Sequence, residues 1–420
     1  MKKILLITTI TPTLDNYNGP SALLFHLLKQ RPNDIDLEII STNQNKVDTK
    51  HKAEIENELK TQIQFLKKDL FNRLRTSNKI NRLIKFIGIK HKLPIDSYYK
   101  LPPNIIQNIH KQIPDLIWLY PHSLISVAKQ LRQYKILVTG PDCSSLHYSR
   151  VLRDSYTFYK KKYQEDINKL SQKIVLEQEW GKLNNSIMHL VGMTDTDYFN
   201  TININTNYKA YFFPHPHYSL TDKKISLNKD IIKIIITGKF DLYTYSDINS
   251  LINEIIKDKN NIIKENYEFT FLGKSWIDIH NKLQEKGFKT NLTTWVDNYI
   301  NFIKDFDIQI FPISIGSGTK GKVLDALSTG LLCIGSKYAF ENTAIMPNQS
   351  CLIYKNTIEI LDFLEEILLD RNRFEKIAVQ GKENIRKEHN PSIIINKILE
   401  FTFKCEYEIN RDKYFYVDLK

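Results

Sequence analysis

The stretch Gly316-Ser317-Gly318-Thr319-Lys320-Gly321-Lys322-Val323-Leu324-Asp325-Ala326-Leu327 concentrates residue types that handle phosphate. Its glycines let a backbone approach a ligand closely, and its lysines supply positive charge. Ile308-Gln309-Ile310-Phe311-Pro312, just before it, reads as a strand. The residues after the turn read as a helix that Gly330 closes. Strand, glycine-rich turn and helix in that order aim backbone N–H groups at an anion. Asp325 lies about one helical turn inside, where its carboxylate can accept hydrogen bonds from sugar hydroxyls.

Such a turn needs a buried sheet to hold it, and the pattern around it supplies one. In the first half, short apolar runs at 3–8, 37–41, 116–120, 136–139 and 187–191 read as strands. Helical patterns at 21–30, 123–133 and 156–183 alternate with them. In the second half, strands at 231–237, 268–272, 292–296, 308–311 and 332–336 alternate with helices starting near 246, 276, 298, 322 and 358. Buried strands alternating with helices predict α/β parallel sheets covered on both faces. Ligands then bind beyond the carboxyl ends of the strands. The pattern breaks near 211–230, which predicts a domain at 1–213, a linker at 214–230, a second domain at 231–390, and a C-terminal helix and tail at 391–420 that cross back to the first domain.

A chain of 420 residues is long enough for two cores, since single cores stop growing at about 250–300 residues. Apolar content of 42% and charged content of 25% fit a soluble enzyme. Cys143, Cys333, Cys351 and Cys405 form no CxxC pair and read as reduced thiols of a cytoplasmic protein. The net charge of +12 is concentrated in 60–92, which holds ten Lys or Arg against one acid, Asp69. Ile63, Leu66, Leu70, Leu74, Ile80, Leu83, Ile84 and Ile87 space that segment as basic amphipathic helices. Two uses are open: a solvated hairpin, or a face that rests on an anionic membrane and makes the protein peripheral there. No nucleic-acid module surrounds the charge.

Taken in order, the motifs of the second half resemble the C-terminal domain of GT-B glycosyltransferases, particularly the GT4-like group. Ile234-Ile235-Ile236-Thr237-Gly238-Lys239 is similar to that family's opening strand and phosphate step, and Thr270-Phe271-Leu272-Gly273 to its second strand and turn. Asp305–Pro312, the glycine-rich turn, Asp325-Ala326-Leu327-Ser328-Thr329-Gly330 and Cys333-Ile334-Gly335-Ser336 follow as the family's series does. The first half resembles it more loosely, through Asn18-Gly19-Pro20-Ser21, Val138-Thr139-Gly140-Pro141-Asp142, Val191-Gly192-Met193-Thr194-Asp195 and the Phe213-Pro214-His215 turn. The resemblance implies a GT-B architecture, two Rossmann-like doubly wound domains facing a central cleft. The family's acidic pair spaced EX7E falls on Ser317 and Asp325, so the first acid is absent.

What the resemblance implies chemically is a hexosyltransferase that needs no metal or other cofactor. Its donor is a nucleotide-diphosphate sugar, UDP-linked by preference. Its acceptor is a glycan or lipid-linked saccharide, as in surface polysaccharide synthesis. Gly19, Lys239, Ser317, Gly318, Thr319, Lys320 and Lys322 would hold the donor, Asp325 its ribose, and Trp295 would either pack the base or sit in the core. A retaining enzyme can use the leaving phosphate as its base. An inverting one would draw on Asp142, His122 or His147. Asp34/Asp36, Asp195/Asp197 and Asp305/Asp307 form Asp-x-Asp triplets, but none has the context of a metal-dependent GT-A site. The same fold also accommodates a sugar-nucleotide epimerase or a noncatalytic nucleotide-sugar-binding protein.

Overall fold

The structure is a computed structural model that describes every residue except 17–19, 67–90, 156–159, 219, 220, 222, 242, 259 and 420. The chain forms two compact units, one from 1–214 with 391–409 and one from 215–390 with 410–418.

The first unit is built on a parallel sheet of strands β1 (Lys2–Thr8), β2 (Ile35–Ser41), β3 (Gln62–Phe65), β4 (Leu116–Tyr120), β5 (Ile136–Gly140), β6 (Ser186–Leu190) and β7 (Ala210–Phe212), in the order β3-β2-β1-β4-β5-β6-β7. Ile4 pairs with Leu37 on one side and Leu116 on the other. Successive side chains on a strand point to opposite faces. Ile4, Leu6, Leu116 and Trp118 therefore pack on one face, and Leu5, Ile7, Ile117 and Leu119 on the other. Both faces are apolar, as a sheet covered by helices on each side requires. The first face is covered by the helix Ala22–Lys29 and by Ile394, Ile395, Ile398 and Leu399 of the helix Pro391–Lys404.

The second unit repeats the plan with β8 (Ile232–Thr237), β9 (Tyr267–Leu272), β10 (Lys289–Thr293), β11 (Ile308–Phe311), β12 (Leu332–Ser336) and β13 (Leu352–Tyr354), all parallel, in the order β10-β9-β8-β11-β12-β13. The strand order reverses between β8 and β11. Loops leaving such a pair diverge to opposite faces of the sheet, which opens a crevice at their carboxyl ends. Gly238 and the glycine-rich turn are the loops that leave this pair.

Several elements differ from the sequence reading. Residues 62–65, expected to open a basic helix, form β3 instead. Gln62-Ile63-Gln64-Phe65 alternates with a period of two, and Ile63 is buried beside β2. The rest of the basic segment, 67–90, lies outside the described residues. The helix expected over 123–133 is a 3-10 turn, His122–Leu124, followed by a short helix, Ile125–Gln130. The strand expected over 292–296 ends at Thr293. Residues expected in a linker pack into the second unit: Ile225 and Leu227 join its core, and the Leu227 N–H donates to Glu375.

Candidate functional site

In the second unit, the carboxyl ends of β8 and β9 come so close that side chains are excluded. Gly273 has φ 135°, and a Cβ there would sit 2.1 Å from the Gly238 carbonyl oxygen. Gly238 itself has φ 109°, and a Cβ on it would meet the Lys322 ammonium at 3.0 Å. The indole Nε1 of Trp276 donates to the Gly238 carbonyl at 2.7 Å. Phe240 and Phe271 pack beside that indole, with ring centroids at 5.2 and 5.0 Å.

Across the crevice, the helix Gly321–Thr329 follows the glycine-rich turn, and no side chain caps its first turn. Its opening N–H groups can therefore take an external acceptor. Lys322 reaches back over the crevice and donates from Nζ to the Thr237 carbonyl at 3.0 Å. Burial lowers its pKa to about 8; nearby Asp241 opposes the shift and Lys320 adds to it. The ammonium thus bridges the two loops of the switch point with one bond to the protein. The Gly318 backbone is buried, while Ser317 and Thr319 are half-buried.

The other expected donor residues divide. Lys320 turns inward: its Nζ donates to the Gly318 carbonyl at 2.9 Å and lies 3.6 Å from the Glu341 carboxylate. Lys239 is exposed. Trp295 follows β10 and is 75% exposed, which removes the alternative of a buried core ring. Asp325 lies in the first half of the helix at 8% exposure. Gly19 lies outside the described residues.

Sequence reasoning missed the polar layer beneath the crevice. Gln309 on β11 donates from Nε2 to Thr237 Oγ1 at 2.8 Å and to the Tyr299 hydroxyl at 3.0 Å. Burial pushes the Tyr299 phenol well above its ordinary pKa, and nearby Asp325 adds to the shift. A glutamine in the middle of the apolar strand Ile308–Phe311 was the available signal. His215, which the sequence offers only as part of the Phe213-Pro214-His215 turn, has its ring 3.7 Å from where a Gly321 Cβ would be, at the start of the same helix.

In the first unit, His122 and Asp142 stand just beyond the neighbouring strands β4 and β5, and His147 is on the helix Ser144–Ser155 that follows. His122 is buried, with Nε2 3.5 Å from Ser144 Oγ and Nδ1 without a hydrogen-bond partner. Burial, aided by Lys173, lowers its pKa to about 3. Such an imidazole is neutral at pH 7 and a weak proton acceptor. Asp142 is half-buried, and the His147 ring packs edge-on against Tyr148 at 5.3 Å.

The helix start beside them is closed by two carboxylates, Asp195 of the Asp195/Asp197 triplet and Glu177, which the sequence did not single out. Asp195 Oδ1 accepts the Cys143 N–H at 2.8 Å, and Glu177 accepts the Ser145 N–H at 3.1 Å and its hydroxyl. Burial raises Glu177 to about 6. Asp195 is thereby a structural acid. So is Asp307, which sits at the amino end of β11, away from the crevice, and accepts from Lys229 Nζ at 2.6 Å and Lys233 N at 3.0 Å. Among the described residues no group of three or more His, Cys, Asp or Glu side chains could hold a metal ion.

The arrangement of two parallel-sheet units recurs in solved structures. Sucrose-phosphate synthase from Thermosynechococcus elongatus aligns with a TM-score of 0.65 at 13% identity, over 97% of this chain and 100% of its own. Anabaena HepE in complex with UDP-glucose aligns at 0.60 and 10% identity, over 95% and 99%. A glycosyltransferase from Rickettsia africae aligns at 0.61 and 12% identity, over 96% and 98%. The chain has the GT-B fold. No family model matches its sequence, and no curated protein does. The strands, not the side chains, thus carry the likeness, and the residues that fill this GT-B frame must be judged on their own geometry.

Proposed function

We propose that this protein is a GT4-like glycosyltransferase that takes a sugar from a nucleotide-diphosphate donor held by the second unit. The observation that carries the reading is the Lys322 ammonium. It lies between the ends of β8 and the uncapped helix start, where a diphosphate would find a cation and free N–H groups together. Negative charge grows on the diphosphate as the glycosidic bond breaks, and fixed donors aimed at it lower that barrier. Asp325 is assigned to the ribose hydroxyls, and exposed Trp295 to the base. UDP is the favoured nucleotide, because HepE of the same fold is described with UDP-glucose.

Transfer with retention is favoured on the first unit's side. His122, with a pKa near 3, is poorly suited to pull a proton from an acceptor, which leaves the departing phosphate as the base and Asp142 as the protein alternative. His147 is assigned to acceptor contact. The acceptor is a glycan or a lipid-linked saccharide, used in surface polysaccharide synthesis at the cytoplasmic side of a membrane; transfer needs no metal. Among the described residues no helix is long and apolar enough to cross a membrane.

The test is a thermal-shift panel of UDP-, GDP-, ADP- and CMP-sugars, followed by release of the nucleoside diphosphate with saccharide acceptors. UDP-sugar binding with acceptor-dependent UDP release is expected. Binding of no nucleotide sugar overturns the reading, and binding without release on any acceptor converts it to a noncatalytic binder.

A further inference from the structure

We infer that Glu341 is a positioning residue for the donor diphosphate, acting through Lys320; the inference rests on the donor site proposed above. Glu341 has no solvent exposure, follows the helix Lys337–Phe340, and belongs to no motif of the crevice. Its carboxylate lies 3.6 Å from Lys320 Nζ, whose side chain is only 12% exposed. Lys320 runs beneath the glycine-rich turn. A Cβ at Gly316 would lie 2.9 Å from Lys320 Cε, and the ammonium ends on the Gly318 carbonyl at 2.9 Å. One lysine thus runs close under Gly316 and bonds to Gly318, and one buried acid pairs with that lysine.

The loop that carries Glu341 is itself held on two sides. The C-terminal strap 410–418 pairs with it, Asn342 N–H to the Phe415 carbonyl and Phe415 N–H to the Thr343 carbonyl, both at 2.8 Å. Tyr414 and Val417 of the strap are buried. On the other side, His389 Nε2 accepts the Ala344 N–H at 3.0 Å. A buried carboxylate on a braced loop is a fixed point, and the lysine transmits that fixity to the turn. The consequence falls on phosphate: the carbonyl of Gly318 is turned onto Lys320, which fixes that peptide plane just before the helix start at which the diphosphate would sit. Removing one partner of a buried pair also leaves a charge without compensation.

The experiment compares UDP and uridine binding by calorimetry for the full-length wild type, Glu341→Gln, Lys320→Met, the double variant, and Phe415→Pro, which deletes the N–H that pairs with Thr343. Glu341→Gln and Lys320→Met are each expected to weaken UDP about tenfold and leave uridine within twofold. The double variant is expected to match the singles instead of multiplying them. Phe415→Pro is expected to shift UDP in the same direction and keeps the test alive should either charge variant fail to fold. Unchanged UDP affinity in the folded variants overturns the inference, as does an equal loss for uridine, which would mark general disruption. A wild type that binds no nucleotide overturns the proposed function and this inference with it. Wild-type binding with unaffected variants overturns the inference alone.

Discussion

Lys322 links a burial cost to a function, and replacing it tests both. Its folded-state pKa of about 8 lies below the ordinary 10.5 because burial disfavours the ammonium. At about 1.4 kcal/mol per pKa unit, carrying that charge at pH 7 costs the folded state a few kcal/mol. Lys322→Met should therefore leave the nucleotide-free protein as stable as the wild type, or more so. The unfolded chain binds the extra proton between pH 8 and 10.5, so the wild type should gain more stability over that window than the variant, in which Lys223, also lowered to about 8 by burial, still contributes. Binding runs the other way. A charge-assisted hydrogen bond contributes about 2 kcal/mol, so Lys322→Met should weaken UDP about thirtyfold. With the pKa near 8, about nine-tenths of the lysine is charged at pH 7 and about one-tenth at pH 9, so wild-type affinity for UDP should fall about tenfold over that range. The variant's pH profile should be flat. Calorimetry across pH 7–9 and urea unfolding without ligand read the two halves. A wild-type affinity constant across the range, with the variant binding within threefold of it, would refute the assignment.

Gly273→Ala should abolish nucleotide binding and lower the unfolding temperature, since a Cβ would lie 2.1 Å from the Gly238 carbonyl; circular-dichroism melting and UDP titration check both. Asp307→Ala strips the partner from Lys229 and from the Lys233 N–H, and a loss of about 3 kcal/mol in urea unfolding is expected, with UDP affinity in the folded fraction unchanged. His26, His122 and His389, with pKa values lowered by burial to about 4, 3 and 3, stay neutral in the folded state. Their contribution is present above pH 6.5 and is lost as the pH falls, about 1 kcal/mol each by pH 5.5. Glu177, raised to about 6, returns part of this, so a net loss of about 2 kcal/mol between pH 7 and 5.5 should appear in urea unfolding. A flat profile would contradict the burial of these rings.

The sheets were legible because a strand buried on both faces is an unbroken apolar run. Ile234-Ile235-Ile236 in β8 and Leu116–Tyr120 have no competing reading. Edges and ends were harder. β3 and β7 are short, and Gln62-Ile63-Gln64-Phe65 carries one buried residue inside a basic stretch. The glycine-rich turn was legible as a turn, but not the direction of its lysines. Lys320 and Lys322 are two residues apart, yet one folds under the turn to Glu341 and the other crosses to Thr237. That divergence depends on where Gly316 leaves room and where a buried acid lies, and neither is a local property. Glu341 and Glu177 escaped notice for the same reason: an acid in a polar stretch looks solvated until its long-range partners are known.

The return of the helix Pro391–Lys404 bears on how the protein is made. Ile394, Ile395, Ile398 and Phe401 fill the same core as Leu23, Leu27 and Trp118. Most of the first unit is synthesised before the second, but its last core residues, in 391–409, are synthesised only after 215–390. Until then Leu24 and Leu28 face an unfilled seat, and the nascent chain must wait, chaperoned or loosely packed, while the bulk of the second unit, 215–390, folds on contiguous sequence. Order of synthesis and order of folding are thus inverted. A fragment of residues 1–214 expressed alone should be aggregation-prone, and supplying 391–409 as a separate peptide should rescue it.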